Sequence, residues 1–107
     1  ALDEIAAKYK LLIGTFGHAG DGNLHPAILT DRRDTHEFER VEQAVDEIFE
    51  VALSLGGTLS GEHGIGMAKS KWLAKETSRG TILYSRRLKK ALDPKSILNP
   101  GKILGEE

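Results

Sequence analysis

An Asp-Gly dipeptide at residues 21 and 22 restricts the fold of this chain more than any other feature, because it lies between two apolar stretches. A type I′ hairpin turn needs a positive φ at both central residues, which Asp tolerates and Gly adopts freely. The pattern therefore predicts a β-hairpin with Asp21 and Gly22 as its two-residue loop. In that register His18 lies directly opposite His25.

The two histidines of the predicted hairpin suggest a metal site. Directly opposed side chains lie on the same face with Cβ atoms about 5 Å apart, so both imidazoles can reach one ion. Neutral imidazole is a common nitrogen ligand of zinc and related divalent ions. The alternative is that His18 and His25 form a polar cross-strand pair that binds nothing. Additional glycines at positions 14, 17 and 20 favour the close approach of a ligand or of another backbone.

The predicted strands cover residues 10–17 and 23–30, and a helical apolar spacing precedes them over residues 1–9. Both faces of the hairpin are apolar, so both should be covered by other parts of a protein. One long helix is available to cover one face. The face that carries the histidines must therefore meet something else.

That long helix follows the hairpin and has clear start and stop signals. Asp34 and Glu37 fit a capping box, and apolar residues then recur at three- and four-residue intervals as far as Leu55. Gly56 and Gly57 supply the left-handed conformation that ends a helix.

The remainder of the chain predicts a short third strand at residues 58–60 and a short helix over residues 67–75. A second helix runs from a Ser78 cap to Leu92 and ends before Pro94. The resulting order predicts one α+β domain over residues 1–107. It is a truncated ferredoxin-like α/β sandwich, an antiparallel sheet with a long covering helix, plus two C-terminal helices. The opening strand of that fold is expected to be missing.

Composition excludes several classes of site and partner. The chain has no Cys, so disulfides and thiolate metal sites are excluded. Its net charge of −1 shows no signature of nucleic-acid binding, and no nucleic-acid partner is expected. No apolar run is long enough to cross a bilayer, and the first residues do not resemble a signal peptide. We therefore expect a cytoplasmic protein, peripheral to the membrane at most through partner subunits.

A glycine-rich segment after the predicted third strand carries a further carboxylate and imidazole, Glu62 and His63. With His18 and His25, Glu62 completes a set of two histidines and one carboxylate. Such a set suits Zn, Mn or Fe(II) and leaves positions for substrate oxygens. His63 would point elsewhere and could accept a proton near pH 7. The alternative is that this segment is a loop that caps the following helix.

Three motifs in this chain resemble the C-terminal end of the FAD-linked oxidases of the vanillyl-alcohol-oxidase type. They are His-Ala-Gly-Asp-Gly-Asn-Leu-His at residues 18–25, Ser-Gly-Glu-His-Gly-Ile-Gly at residues 60–66 and Leu-Asn-Pro-Gly-Lys at residues 98–102. Within that family they look like the glycolate oxidase FAD subunit and the D-lactate and D-2-hydroxyglutarate dehydrogenases. The resemblance extends over nearly the whole chain.

The resemblance implies a role for five residues. His18, His25 and Glu62 would bind a divalent metal. His63 would take the hydroxyl proton of a 2-hydroxy acid while a hydride leaves the α-carbon for the flavin N5. Asn99, in the last motif, would lie beside the flavin ring.

Two further polar residues of the first motif, Asp21 and Asn23, are expected beside the substrate or behind the metal ligands. Asp21 would orient a liganding imidazole if it does more than form the turn. Ala27 occupies a position where some 2-hydroxyglutarate-type relatives carry Asn. This difference favours a glycolate or D-lactate class of substrate.

The resemblance covers only the last part of the family's sequence, since the FAD-binding domain that ordinarily precedes this region is absent. That domain would supply most of the FAD site, so the chain alone is expected to be inactive. The FAD-binding domain would also cover the histidine-bearing face. Without that domain, two copies of the chain are expected to form a homodimer through this face. Two other functions remain open at this point, a non-catalytic ferredoxin-like binding or dimerisation module and a small metal-dependent hydrolase.

Overall fold

A computed structural model of the chain describes residues 1–104, which belong to two compact units, one covering Ala1–Glu62 and the other beginning at His63. The helices and strands confirm the predicted α+β fold. The first unit contains α1 (Leu2–Tyr9), β1 (Leu12–His18), β2 (Asn23–Leu29) and α2 (Thr35–Ser54), and the second contains α3 (Leu73–Glu76) and α4 (Arg79–Leu92).

Strands β1 and β2 form the predicted antiparallel hairpin, but its register differs from the prediction. His18 pairs with Asn23 and Phe16 pairs with His25, so the expected direct pairing of the two histidines is wrong. The shift equals two residues. Because side chains alternate between faces with a period of two, both histidines still lie on one face.

The register differs because the loop has four residues instead of two. Residues Ala19–Asp21 form a 3₁₀ turn, and the Gly22 N–H donates to the Ala19 carbonyl at 3.3 Å. Gly22 has a φ of 68°, whereas Asp21 does not adopt a positive φ. The loop is therefore built on a type I turn closed by a left-handed glycine, and not on the type I′ turn that Asp-Gly favours.

Helix α2 begins as predicted, with Asp34 as its N-cap. The Asp34 carboxylate accepts a hydrogen bond from the Glu37 N–H at 3.0 Å. The Glu37 carboxylate accepts from the Asp31 N–H at 3.1 Å, so it secures the segment before the cap and not Asp34 itself.

The same helix ends at the predicted glycine pair. The Gly56 N–H donates to the Leu53 carbonyl at 3.0 Å, and the Gly57 N–H donates to the Ala52 carbonyl at 2.9 Å. With a φ of 79° at Gly56, this is a Schellman motif.

Polar contacts join α1 to α2 in the first unit. The Lys8 ammonium and the Tyr9 hydroxyl donate to one Glu47 oxygen at 2.6 and 2.9 Å. The Arg40 guanidinium donates to the Tyr9 carbonyl at 3.2 Å. The buried apolar residues of this unit are Ile5, Ala44 and Leu59.

The third strand predicted at residues 58–60 is wrong, since the sheet of residues 1–104 has two strands. Leu59 is nevertheless buried, with 3% of its surface exposed. A segment can bury an apolar side chain without pairing its backbone, so its composition did not distinguish a strand from a buried loop.

The histidine-bearing face of the hairpin, called the open face below, is exposed, as the sequence predicted; on the other face Leu24 is also 59% exposed. Leu12, Phe16 and Leu29 lie on the histidine-bearing face and are each more than 60% exposed. On the opposite face, Ile13 and Ile28 are half-buried.

In the second unit, α4 follows its prediction closely, with Ser78 accepting a hydrogen bond from the Thr81 N–H at 3.1 Å. The helix predicted over residues 67–75 is shorter and begins later, as a 3₁₀ turn over Ser70–Trp72 followed by α3. Trp72 is the buried apolar side chain of this unit. Across residues 1–104, every helix is too short or too polar to serve as a transmembrane span.

Candidate metal centre

The hairpin brings two imidazoles together at the loop end of its open face. His18 is the last residue of β1, and His25 lies in β2 diagonally across from it. The two ring centroids are 5.8 Å apart and the ring planes are nearly perpendicular, at 82°. A diagonal pair is farther apart than a direct one but remains within reach of ring side chains.

Glu62 brings a carboxylate to the same place from the segment that follows α2. Its Oε1 lies 3.3 Å from His25 Nε2, and its Oε2 lies 3.8 Å from His18 Nε2. One ligand atom from each of the three residues lies within 4.8 Å of the others. Ligand atoms bound to one tetrahedral zinc are about 3.4 Å apart, so a small inward movement of His18 would suffice.

The donor set fits a divalent cation. Two imidazole nitrogens and one carboxylate oxygen are established ligands of Zn, Mn and Fe(II), and three protein ligands leave coordination positions for other molecules. The His18 and Glu62 side chains are 60% and 45% exposed, whereas His25 is 22% exposed. His25 is therefore the most buried of the three side chains, and the site is open to solvent at His18 and Glu62.

An aromatic ring contacts one of the histidines. Phe16, the direct cross-strand partner of His25, stacks on its imidazole with centroids 5.2 Å apart and planes at 26°. The His25 ring therefore contacts two other rings, stacked with Phe16 and edge-on with His18. Sequence reasoning placed Phe16 on this face but gave it no role in the site.

The two predicted polar residues at the loop end of the hairpin, Asp21 and Asn23, differ in their surroundings. The Asn23 side chain lies against Gly61, since a Cβ on Gly61 would be 2.3 Å from Asn23 Oδ1. Asp21 is exposed and forms no hydrogen bond or ion pair within residues 1–104. Its expected role beside a liganding imidazole stays a prediction.

The two remaining predicted residues belong to the second unit. His63 directly follows Glu62 and is exposed. Asn99 is also exposed and has a φ of 45°, in the left-handed region that Asn tolerates better than most residues. Their expected roles, proton acceptor and flavin contact, stay predictions.

A buried carboxylate holds the turn that carries Asn99. Asp93 is 4% exposed, pairs with the Lys89 ammonium, and accepts the N–H groups of Ile97 at 3.1 Å and Leu98 at 2.9 Å. The hydrogen bond from Lys89, followed by that from Leu98, lowers the pKa of Asp93. Lys89 also donates to the Leu98 carbonyl at 2.5 Å. Sequence reasoning used Asp93 only as a helix terminator, although a Lys four residues earlier is a recognisable ion-pair signal.

Comparison with known proteins adds an independent observation. The family model described as FAD linked oxidases, C-terminal domain, matches residues 1–103. The chain is 53% identical over 107 residues to the glycolate oxidase subunit GlcD of Bacillus subtilis, covering 100% of this chain and 23% of that protein. It is 40% identical over 98 residues to GlcD of Escherichia coli K12, covering 92% of this chain and 20% of that protein.

A third relative is named for a different activity. The chain is 43% identical over 94 residues to the mitochondrial D-lactate dehydrogenase [cytochrome] 1 of Saccharomyces cerevisiae, covering 88% of this chain and 16% of that protein. The resemblance predicted from the three motifs is confirmed. The chain spans less than a quarter of the length of each of these relatives.

Proposed function

Because the chain belongs to the family of FAD-linked oxidase C-terminal domains, we propose that it forms the metal- and substrate-binding part of an FAD-dependent oxidoreductase. The reaction is the oxidation of a D-2-hydroxy acid, of the glycolate or D-lactate class, to the 2-oxo acid. The observation that carries the proposal is the convergence of His18, His25 and Glu62 on one point. The names of the relatives support the substrate class.

The three converging side chains would hold a divalent ion, Zn, Mn or Fe(II), through His18 Nε2, His25 Nε2 and one Glu62 oxygen. Such an ion would attract the carboxylate and hydroxyl oxygens of a 2-hydroxy acid and make the hydroxyl easier to deprotonate. The partial exposure of His18 and Glu62 leaves the approach that a small anionic substrate needs.

His63 is the proposed base for the hydroxyl proton, since a neutral imidazole nitrogen can accept a proton and imidazole is the commonest general base in enzymes. In the balanced reaction the O–H bond gives its proton to His63, the α-carbon loses a hydride, and a C=O bond forms. FAD supplies the hydride acceptor, and Asn99 is the residue of this chain proposed to contact it.

The exposed apolar side chains of the open hairpin face are evidence for a partner domain in the longer protein. Leu12, Phe16 and Leu29 are exposed beside the site, and their burial would be favourable. We assign this face to the FAD-binding domain of the same protein. The chain alone therefore lacks both the FAD site and the cover of its active face, and we expect no turnover from it.

Metal binding tests the site directly. Elemental analysis and calorimetry with Zn²⁺ and Mn²⁺ should show one ion bound per wild-type chain and none bound to His18→Ala. His36→Ala is the matched control, because His36 is an exposed residue in the first turn of α2 and should not affect binding.

Activity is measured on the longer flavoprotein that contains this chain. D-Lactate or glycolate should reduce its flavin, and His18→Ala should abolish that reduction while His36→Ala retains it. Full flavin reduction by His18→Ala would contradict the proposed function. A metal-dependent hydrolase would instead bind the ion and leave the flavin oxidised.

A further inference from the structure

We propose that Asn23 is a positioning residue. Its side chain packs against the Gly61–Glu62 segment and holds that segment on the hairpin, which places the Glu62 carboxylate beside both histidines. The inference rests on the proposed metal site and assigns the element that assembles it. Asn23 itself does not touch the ion.

The first observation is the fit between Asn23 and Gly61. A Cβ on Gly61 would lie 2.3 Å from Asn23 Oδ1, 2.6 Å from its Cγ and 3.1 Å from its Nδ2. The amide group therefore lies directly against the Cα of Gly61, in space that any other residue would fill. Gly61 does not have a positive φ, so this position requires glycine for space and not for backbone conformation.

The second observation is that the Asn23 backbone is itself held by the hairpin. Asn23 is the first residue of β2 and pairs with His18. A Cβ on Gly17 would lie 2.1 Å from the Asn23 carbonyl oxygen, so Gly17 permits close approach of the two strands there. Asn23 is thus fixed through its backbone to one histidine-bearing strand and through its side chain to the segment that carries Glu62.

The third observation is that regular secondary structure does not hold Glu62. Residues 57–62 form neither helix nor strand, so the ladder that would set their distance from the hairpin is lacking. Glu62 is therefore placed by contacts other than a strand ladder or a helical hydrogen-bond pattern. One of these is the contact between Gly61, the residue before Glu62, and Asn23, the cross-strand partner of His18.

The side-chain chemistry at this position also suits the role. Asn has the same shape as Asp but no charge, so it fills the space beside Gly61 without adding a second anion next to Glu62. An Asp at position 23 would add negative charge beside the site and offer the ion a competing oxygen.

A double-mutant cycle tests the contact. Asn23→Ala removes the amide, and Gly61→Ala displaces it. Each should weaken Zn²⁺ binding about 10- to 100-fold, the range found when residues that orient metal ligands are removed. The Zn²⁺ affinity of the double variant should be no lower than that of the single variant with the lower affinity, because both changes break the same contact. Gly14→Ala is the control. Gly14 lies in the same hairpin, and a Cβ there would meet nothing within 4 Å.

A spectroscopic readout separates positioning from general stability. With Co²⁺ in place of Zn²⁺, the visible spectrum reports the ligand set, and Asn23→Ala should resemble Glu62→Ala and not the wild type. Far-UV circular dichroism and urea unfolding without metal show whether each variant is folded. Should Asn23→Ala unfold, Gly61→Ala carries the same test, because it leaves the hairpin sequence unchanged.

Two outcomes overturn the inference, wild-type metal affinity in a folded Asn23→Ala chain, or fully additive losses in the double variant. Failure of the proposed metal site gives a different result. In that case the wild-type chain itself binds neither Zn²⁺ nor Co²⁺.

Discussion

The Phe16 ring lies over the His25 imidazole, 5.2 Å from centroid to centroid, although Phe16 is 66% exposed. The two residues are direct cross-strand partners. A ring that is largely exposed adds little to a hydrophobic core, but it restricts the rotation of the side chain that it covers. Phe16 is therefore placed to orient His25, one of the three proposed metal ligands.

Replacement of Phe16 by Ala should weaken Zn²⁺ binding about 2- to 10-fold, which corresponds to the 0.5–1.5 kcal/mol typical of an aromatic pair. The loss arises because His25 would have to be ordered on binding instead of being ordered beforehand. Calorimetry on the isolated chain measures the change, and Phe16→Tyr, which keeps the ring, should retain the affinity. A tighter complex with Phe16→Ala would show that the ring obstructs the ion.

Replacement of His63 by Gln in the longer flavoprotein should lower kcat about 10²- to 10⁴-fold, the usual contribution of a general base. Gln has a similar size but cannot take the hydroxyl proton. Stopped-flow reduction of the flavin measures the change, and metal content should stay at the wild-type level because His63 is not a proposed ligand. A kcat equal to that of His36→Gln would remove His63 from the mechanism.

Asp93 should make the stability of the chain dependent on pH. Its pKa in the folded chain is lowered below the ordinary 3.8, chiefly by the hydrogen bond from Lys89. The stability that this provides is therefore present above the unfolded pKa and is lost as the pH falls through the folded pKa.

Urea unfolding of the wild type and Asp93→Asn checks this expectation. The variant should be less stable at about pH 7, and the difference should shrink at a second, acidic pH below the ordinary pKa of Asp, as protonation begins to remove the charge from the wild type as well. Asp3→Asn serves as the control, because Asp3 is an exposed residue in the first turn of α1. An equal difference at both pH values would mean that packing, and not the charge of Asp93, holds the tail.

The open face of the hairpin should drive association of the isolated chain. Leu12 and Leu29 are opposed on that face and are 68% and 63% exposed. We expect sedimentation to show a dimer that the pair Leu12→Lys and Leu29→Glu converts to monomer, because opposite charges keep the cross-strand pair compatible.

Leu55→Lys is the matched control for the charged pair, because Leu55 is 80% exposed at the end of α2 and should leave the dimer intact. In the longer flavoprotein, the same Leu12 and Leu29 changes should loosen the contact with the FAD-binding domain. A wild-type chain that is monomeric at all concentrations would contradict self-association through this face.

Some elements followed from the sequence because their causes are local. The Asp34 cap, the Gly56–Gly57 stop and the Ser78 cap depend on hydrogen bonds within a few residues, and each appears where it was predicted. The prediction that both histidines lie on one face of the hairpin was also correct, since it depends only on the alternation of side chains along a strand.

Other features depended on contacts that local patterns do not record. The Asp-Gly pair favours a two-residue loop, but the chain forms a four-residue loop that shifts the register by two. Residues 58–60 have a composition that fits a strand, but a strand also needs backbone pairing with a neighbour, and in the described structure those residues pair with neither β1 nor β2.

The sequence by itself determined the α+β class, the family and the chemical types of the three converging side chains. Periodicity, capping and motif spacing depend on the order of residues along the chain and need no tertiary contact. Only the tertiary structure decided how Glu62 meets the histidines and which neighbours hold them. The stack of Phe16 on His25 and the fit of Asn23 against Gly61 join separate segments of the chain. Such contacts depend on the three-dimensional packing of the backbone, where a displacement of about an ångström decides whether three side chains share one ion.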